Sequence, residues 1–169
     1  GKYREAQTYF EKKLAVTKKK SKNRYTGIEV LNLMLNYEIE QAEEKAIRVK
    51  CAVEAYLCPV DETELCIIIG NLFDNAIEAV KDLPDEQRQI DFVIQNPNGI
   101  FRIEISNPYE GERRKIEHHY LTTKKENTEM HGLGLMSVQK IVEKYDGLIE
   151  INDVDSLFKV DVTFYDEEV

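Results

Sequence analysis

The stretch Leu65-Cys66-Ile67-Ile68-Ile69-Gly70-Asn71-Leu72-Phe73-Asp74-Asn75-Ala76-Ile77-Glu78-Ala79-Val80 decides how this chain is read. Asn71, Asp74, Asn75 and Glu78 are spaced by three and four, so in a helix they share one face. Leu72, Phe73, Ala76, Ile77 and Val80 fall on the opposite face and are apolar. Asparagine is a middling helix former, because its short amide competes for the backbone. Two in mid-helix ask for a reason. Amide carbonyls and a carboxylate along one stripe suit a hard, hydrated cation such as Mg²⁺ that holds a nucleotide's phosphates. An ordinary solvated face is the plain alternative.

Working outward, Asp61 and Glu64 form a capping-box pattern, and the helix is expected over about 62–83, ended by Pro84-Asp85. Upstream, Val30, Leu31, Leu33, Met34, Tyr37, Ile39 and Ala42 keep a helical period from about Ile28 to Ala46. Ile47, Val49, Cys51 and Val53 then alternate like a strand. Downstream, strands are expected over 90–95 and 100–106 around Asn96-Pro97-Asn98-Gly99, a strong hairpin signal. Residues 107–131 hold many charges and few core-type residues, and are expected to form a long, mobile loop. A helix follows over 132–144, stopped at Tyr145-Asp146-Gly147, and strands over 148–152 and 157–164 close the chain. Helices early and hairpins late predict an α+β fold. It is a two-layer sandwich whose largely antiparallel sheet is covered on one face by helices.

Composition bounds the rest. The chain has 169 residues, and its 42% hydrophobic share is enough for a sizeable core. The net charge of -9 argues against nucleic acid as a partner. Residues 1–30 nevertheless hold nine Lys/Arg and three Asp/Glu, a basic arm on an acidic body. Within it, residues 2–20 read as a charged helix with a thin apolar seam of Tyr3, Phe10 and Leu14. That seam is too weak to fold alone and suggests a partner helix. No apolar run approaches the roughly 18 residues that span a bilayer, and no export signal opens the chain. Cys51, Cys58 and Cys66 lack ligand-like spacing and read as reduced, core-type thiols.

Three further segments carry chemistry. Met130-His131-Gly132-Leu133-Gly134-Leu135 places two glycines at a helix start, where free N–H groups and the helix dipole attract phosphate. Arg113, Arg114, Lys115, Lys124 and Lys125, with Thr122 and Thr123, concentrate positive charge in the long loop. Such a loop beside a glycine-rich helix start reads as a lid over phosphates. Asn107 ends an apolar strand, where its amide could accept from an adenine amino group. Each segment also has a plainer reading: a loop-to-helix junction, a solvated loop and a strand-ending Asn-Pro turn.

In their order and spacing these segments resemble the ATP-binding domain of the GHKL superfamily, with its Bergerat fold. The superfamily includes gyrase-type, chaperone and mismatch-repair ATPases and histidine kinases. Within it, Ile69–Ala79, Thr122-Thr123-Lys124 and Gly132-Leu133-Gly134-Leu135 through Gly147 are most similar to the catalytic domain of sensor histidine kinases of the peptide quorum-sensing receptor type. The resemblance implies ATP and Mg²⁺ as ligands. Asn75 would be the Mg²⁺ ligand, with Asn71, Asp74 and Glu78 on the same face. Asn107 would meet adenine, and Thr123 and Lys124 would be the lid residues facing phosphate. His131, Gly132, Leu133, Gly134 and Leu135 would form the phosphate-binding glycine box. It further implies residues 1–25 as the tail of dimerisation helices and 26–169 as the catalytic domain. The whole would belong to the cytoplasmic part of a membrane-bound, homodimeric receptor that phosphorylates a histidine and then a response regulator.

Two departures refine this. Hydrolytic members of the superfamily carry a Glu where Asn71 stands, and an amide cannot act as base for water. That favours transfer to a protein histidine over ATP hydrolysis. The Asp-x-Gly-x-Gly box reads Asn107-Pro108-Tyr109-Glu110-Gly111, and an amide holds adenine less strongly than a carboxylate. His118, His119 and His131, the three histidines, all fall in the lid or glycine box, so the phosphoacceptor is expected outside this chain. The competing expectations are a non-catalytic nucleotide sensor and a dimerisation module that binds no nucleotide.

Overall fold

The structure, a computed structural model, describes residues 23–110 and 133–165. Its elements run α1 (Glu29–Glu43), β1 (Arg48–Glu54), α2 (Glu62–Val80), β2 (Gln89–Gln95), β3 (Ile100–Pro108), α3 (Leu133–Lys144), β4 (Leu148–Val154) and β5 (Leu157–Tyr165). The sheet order is β1-β2-β3-β5-β4. Only β1 and β2 pair in parallel, joined across α2, and the other three pairings are antiparallel. The expected α+β sandwich is the fold that forms.

Strand alternation explains the layers. Ile90, Phe92 and Ile94 on β2, Phe101, Ile103 and Ile105 on β3, and Phe158, Val160, Val162 and Phe164 on β5 are all buried. The registers align them across strands, Phe92 with Ile105, Ile103 with Val162 and Phe101 with Phe164. This apolar lattice is covered by the three helices, with Phe73 of α2 seated on Phe92 at 4.9 Å between ring centres. Each fully buried Ile or Phe contributes about 1.5–3 kcal/mol. The intervening residues form a polar outer face. There Arg102 donates through Nε to Asp161 Oδ1 at 2.7 Å and pairs with Glu104, which also takes Lys159 at 2.8 Å.

Helix α2 is buried on every side from Leu65 to Gly70, and on one side thereafter. It is the axis of the molecule, packing on α1, α3 and β3. Asp61 caps it, Oδ1 accepting from the N–H groups of Thr63 at 2.9 Å and Glu64 at 3.3 Å. The other half of the expected capping box does not form. Glu64 is buried and turns to α3, accepting from Lys144 Nζ and the Tyr145 hydroxyl.

Element ends differ from the sequence expectation in instructive ways. β3 runs on through Asn107 and Pro108, which pair with Phe158 and Leu157, so these two residues belong to the strand and not to the loop expected over 107–131, the rest of which from 111 lies outside the described residues. The α3 stop is divided between two residues: Asp146 takes the left-handed backbone at φ 49°, while Gly147 lies where a side chain would collide. The β4–β5 turn uses Asp155 and Ser156 at φ 53° and 61°, the two positive angles that a tight two-residue hairpin requires. Before α1, the segment 23–26 is strapped to the helix by two amides. Asn32 binds the backbone of Tyr25 and Thr26, and Asn36 that of Asn23.

Of the thiols, Cys66 is buried, and burial pushes its pKa up to about 12. Cys51 and Cys58 are half-buried; burial pushes Cys51 up to about 11 and raises Cys58 as well.

Candidate functional site: the α2–α3 cleft

The helix α2 presents Asn71 and Asn75 half-buried, one turn apart, with Asp74 and Glu78 exposed on its outer edge. Asn71 is fixed by its own helix: Nδ2 donates to Ile67 O at 2.8 Å. That leaves Oδ1 to face α3, where a Cβ built on Gly134 would stand 2.8 Å away. The helix start with its glycine and the asparagine stripe, 63 positions apart in the chain, therefore meet at closest approach. Only a residue without a side chain lets them do so without moving the amide. Asn75 lies one turn further on. Its Nδ2 is buried and, among the described residues, finds no hydrogen-bond acceptor. An unmet buried donor costs roughly 1–3 kcal/mol, so this atom suits an oxygen-rich ligand.

Glu78 is engaged elsewhere, pairing with Lys81 at 2.7 Å on the surface and raising that ammonium's pKa. It stands apart from the Asn71–Gly134 contact. Among the described residues, no three His, Cys, Asp or Glu side chains gather into a metal-holding group. A cation here would instead rest on amide oxygens and on the ligand's own phosphates, a set that fits Mg²⁺ held with few protein ligands.

Asn107 stands where the inward row Phe101–Ile103–Ile105 would next place an apolar side chain. It is 2% exposed, and Nδ2 donates to Pro108 O at 2.9 Å. That bond engages one of the two N–H groups of the amide and holds the side chain in place, with Oδ1 as its acceptor. Just beyond, Tyr109 is tied to the β4–β5 hairpin: its hydroxyl donates to Asp153 and its N–H to Ser156 O at 3.2 Å. No local pattern points to this tether, because its partners lie more than forty residues apart.

Leu135 is buried in the first turn of α3, below Gly134. Thr123, Lys124, His131 and Gly132, with the rest of 111–132, lie outside the described residues, as does the charged helix expected over 2–20. No described helix is long and apolar enough to cross a membrane.

Set on a mostly antiparallel sheet, an asparagine-bearing helix against a glycine-opened one is the frame of the GHKL domain. The chain belongs to that family, which matches residues 60–165. It is 29% identical over 103 residues to a probable C4-dicarboxylate sensor kinase of Halalkalibacterium halodurans, covering 60% of this chain and 19% of that protein. It is 28% identical over 100 residues to the sensor histidine kinase DpiB of Escherichia coli K12, covering 57% and 18%. The matched stretch is thus about a fifth of either relative's length. Among solved structures, the catalytic domain of histidine kinase ThkA superposes with a TM-score of 0.61 at 16% identity, over 81% of this chain and 91% of that one. ShkA in complex with AMPPNP superposes at 0.57 and 18% identity, over 80% and 29%. At these identities the superpositions speak for the fold.

Proposed function

We propose that this chain is the ATP-binding catalytic piece of a two-component sensor histidine kinase. The observation that carries this reading is the meeting of Asn71 with Gly134 beside the unmet Nδ2 of Asn75. Phosphates placed between α2 and α3 would accept from Asn75 and from the N–H groups at the start of α3. Asn75 would hold Mg²⁺, which when bound neutralises charge on the phosphate oxygens, and Asn71 would face the phosphates one turn before it. Asn107, its amide held by the bond from Nδ2 to Pro108 O, would accept from the adenine amino group through Oδ1. Thr123, Lys124, His131 and Gly132 would close over the phosphates from the lid.

The transfer itself needs a nucleophile that the cleft does not supply. Asn71 cannot take a proton from water, so hydrolysis lacks its base. The nucleophile would be an imidazole on a helix hairpin outside this chain. Its nitrogen forms the new N–P bond at the γ-phosphorus as the bond to the ADP oxygen breaks. The domain's share is positioning and charge stabilisation. The phosphoryl group would pass on to a response regulator. Within the kinases we read the chain as the peptide quorum-sensing receptor type, on the segments 69–79, 122–124 and 132–147. Residues 1–25 would be the tail of its dimerisation helices, and the whole receptor a membrane-bound homodimer.

Thermal unfolding with and without Mg-ATP tests the site. Ligand at 100 times its dissociation constant should add about 2.7 kcal/mol. The Asn75→Ala variant, which removes the unmet donor, should unfold at or above the native temperature without ligand and show no shift with Mg-ATP. No shift in the native chain at millimolar ATP would sink the reading and favour a module that only binds protein. Binding without transfer to any histidine-bearing hairpin would favour a nucleotide sensor.

A further inference from the structure

The contact between Asn71 and Gly134 has a counterpart at the other end of the same two helices. Glu64 lies two turns before Asn71 on α2, and Lys144 and Tyr145 end α3, so the helices run antiparallel. Glu64 is 5% exposed, and its carboxylate accepts from Lys144 and Tyr145. Lys144 Nζ donates to its two oxygens at 3.0 and 2.8 Å, and the Tyr145 hydroxyl donates to Oε2 at 2.6 Å. The same hydroxyl accepts from the Asp61 N–H at 3.1 Å. This N–H belongs to the cap residue of α2, whose side chain is already committed to Thr63 and Glu64. The Tyr145 ring meets Phe164 of β5 edge-on at 6.0 Å, so the sheet holds the hydroxyl in place.

The clamp is built more strongly than α3 needs for attachment. Leu135, Val138, Ile141 and Val142 already bury one side of that helix. Apolar packing fixes the distance between helices but tolerates sliding along their length, whereas hydrogen bonds of 2.6–3.1 Å to a capped helix end fix the register. Register is what the other end needs. There the two helices approach so closely that a Cβ built on Gly134 would stand 2.8 Å from Asn71 Oδ1, so a change of register alters which atoms face each other. We infer that Tyr145 and Glu64 are positioning residues, which hold the first turn of α3 in register with Asn71 and so set the phosphate end of the cleft. The inference rests on the nucleotide reading for its consequence, but its geometry can be tested without nucleotide.

The test uses Tyr145→Phe, which keeps the ring on Phe164 and removes both hydroxyl bonds, and Glu64→Gln, which keeps an acceptor for Tyr145 but drops the charge facing Lys144. A third variant, Ile47→Val, lowers stability at the sheet edge opposite α3 and serves as the control for a merely structural loss. Two quantities are read: the dissociation constant for Mg-ATP, and the amide resonances of Gly134 and of the Asn71 side chain in the free protein. Tyr145→Phe should weaken Mg-ATP binding about fivefold and Glu64→Gln about twofold, the size of one and of part of one hydrogen bond. Both should move the Gly134 and Asn71 signals, and Ile47→Val should do neither. Binding and signals that follow the control in both variants overturn the inference, as do moved signals with unchanged affinity. If the native chain binds no Mg-ATP, the nucleotide reading falls, and the resonances alone decide whether the clamp sets the register.

Discussion

The two ends of the α2–α3 pair are built from similar materials and differ in how they are finished. At one end Glu64, Lys144, Tyr145 and the Asp61 N–H satisfy one another. At the other, Asn71 is half used by Ile67 O, and Asn75 keeps a buried donor unmet among the described residues. A polar group matched within the protein contributes to stability, and one left unmatched costs stability until something else meets it. Damage at the closed end should therefore appear as lost stability, and damage at the open end as lost binding. Each end holds a glycine, which makes the comparison direct.

The largest effect is expected at the closed end. A Cβ on Gly147 would stand 2.7 Å from Thr163 O and 2.9 Å from the Phe164 ring. Thr163 O belongs to the backbone of β5, paired on both sides, and cannot step back. Gly147→Ala should cost about 2–3 kcal/mol and lower the melting temperature by roughly 5–10 °C, as overpacking does in a chain of this size. Urea denaturation measures it; an unchanged midpoint would mean that the end of α3 slides freely on β5.

At the open end the neighbour is the tip of a side chain. Gly134→Ala forces the Asn71 amide to turn away, which a side chain does cheaply, and alanine suits a helix better than glycine. Stability should stay within about 1 kcal/mol of native, or rise. In the proposed site, affinity for Mg-ATP should fall roughly tenfold, because the displaced amide would no longer face the phosphates. Calorimetric titration of the variant reads this directly. Lost stability with unchanged affinity would remove Asn71 from the site.

This contrast also explains what was legible in the sequence. The spacing of Asn71, Asp74, Asn75 and Glu78 is local, so the polar face of α2 could be read from one helix, and alternation revealed the sheet rows. Which members of the stripe matter was not local. The fold leaves Asn71 and Asn75 half-buried and Asp74 and Glu78 exposed, sets Asn71 against Gly134 of α3, and pairs Glu78 with Lys81. Glu64 was misread because two roles share its position: third in the first turn it fits a capping box, and only α3, eighty residues later, claims it instead. Asp146-Gly147 was read as a single stop because the sequence does not show which residue takes the unusual φ and which is short of space. Tyr109 with Asp153 and Asn32 with the 23–26 strap depend on tertiary partners, and the motifs did not reveal them.

The smallest effect sharpens the comparison by separating backbone strain from charge. Asp146 follows α3 at φ 49°, and Ala46 follows α1 at φ 55°. Both are exposed and both occupy the position after a helix where glycine is usual. Left-handed backbone costs a residue with a Cβ about 1 kcal/mol, partly offset in a glycine variant by the greater freedom of the unfolded chain. Ala46→Gly should therefore stabilise by about 0.5 kcal/mol through strain alone. Asp146→Gly relieves the same strain and also removes a carboxylate from the negative end of the α3 dipole, which adds about 0.3 kcal/mol or more. The extra gain at position 146 should shrink as salt screens the dipole, while the gain at position 46 holds constant. Denaturation at low and high ionic strength measures both. Equal gains at every salt concentration would show that the end of α3 is governed by backbone shape, with Asp146 placed there for its tolerance of the left-handed region.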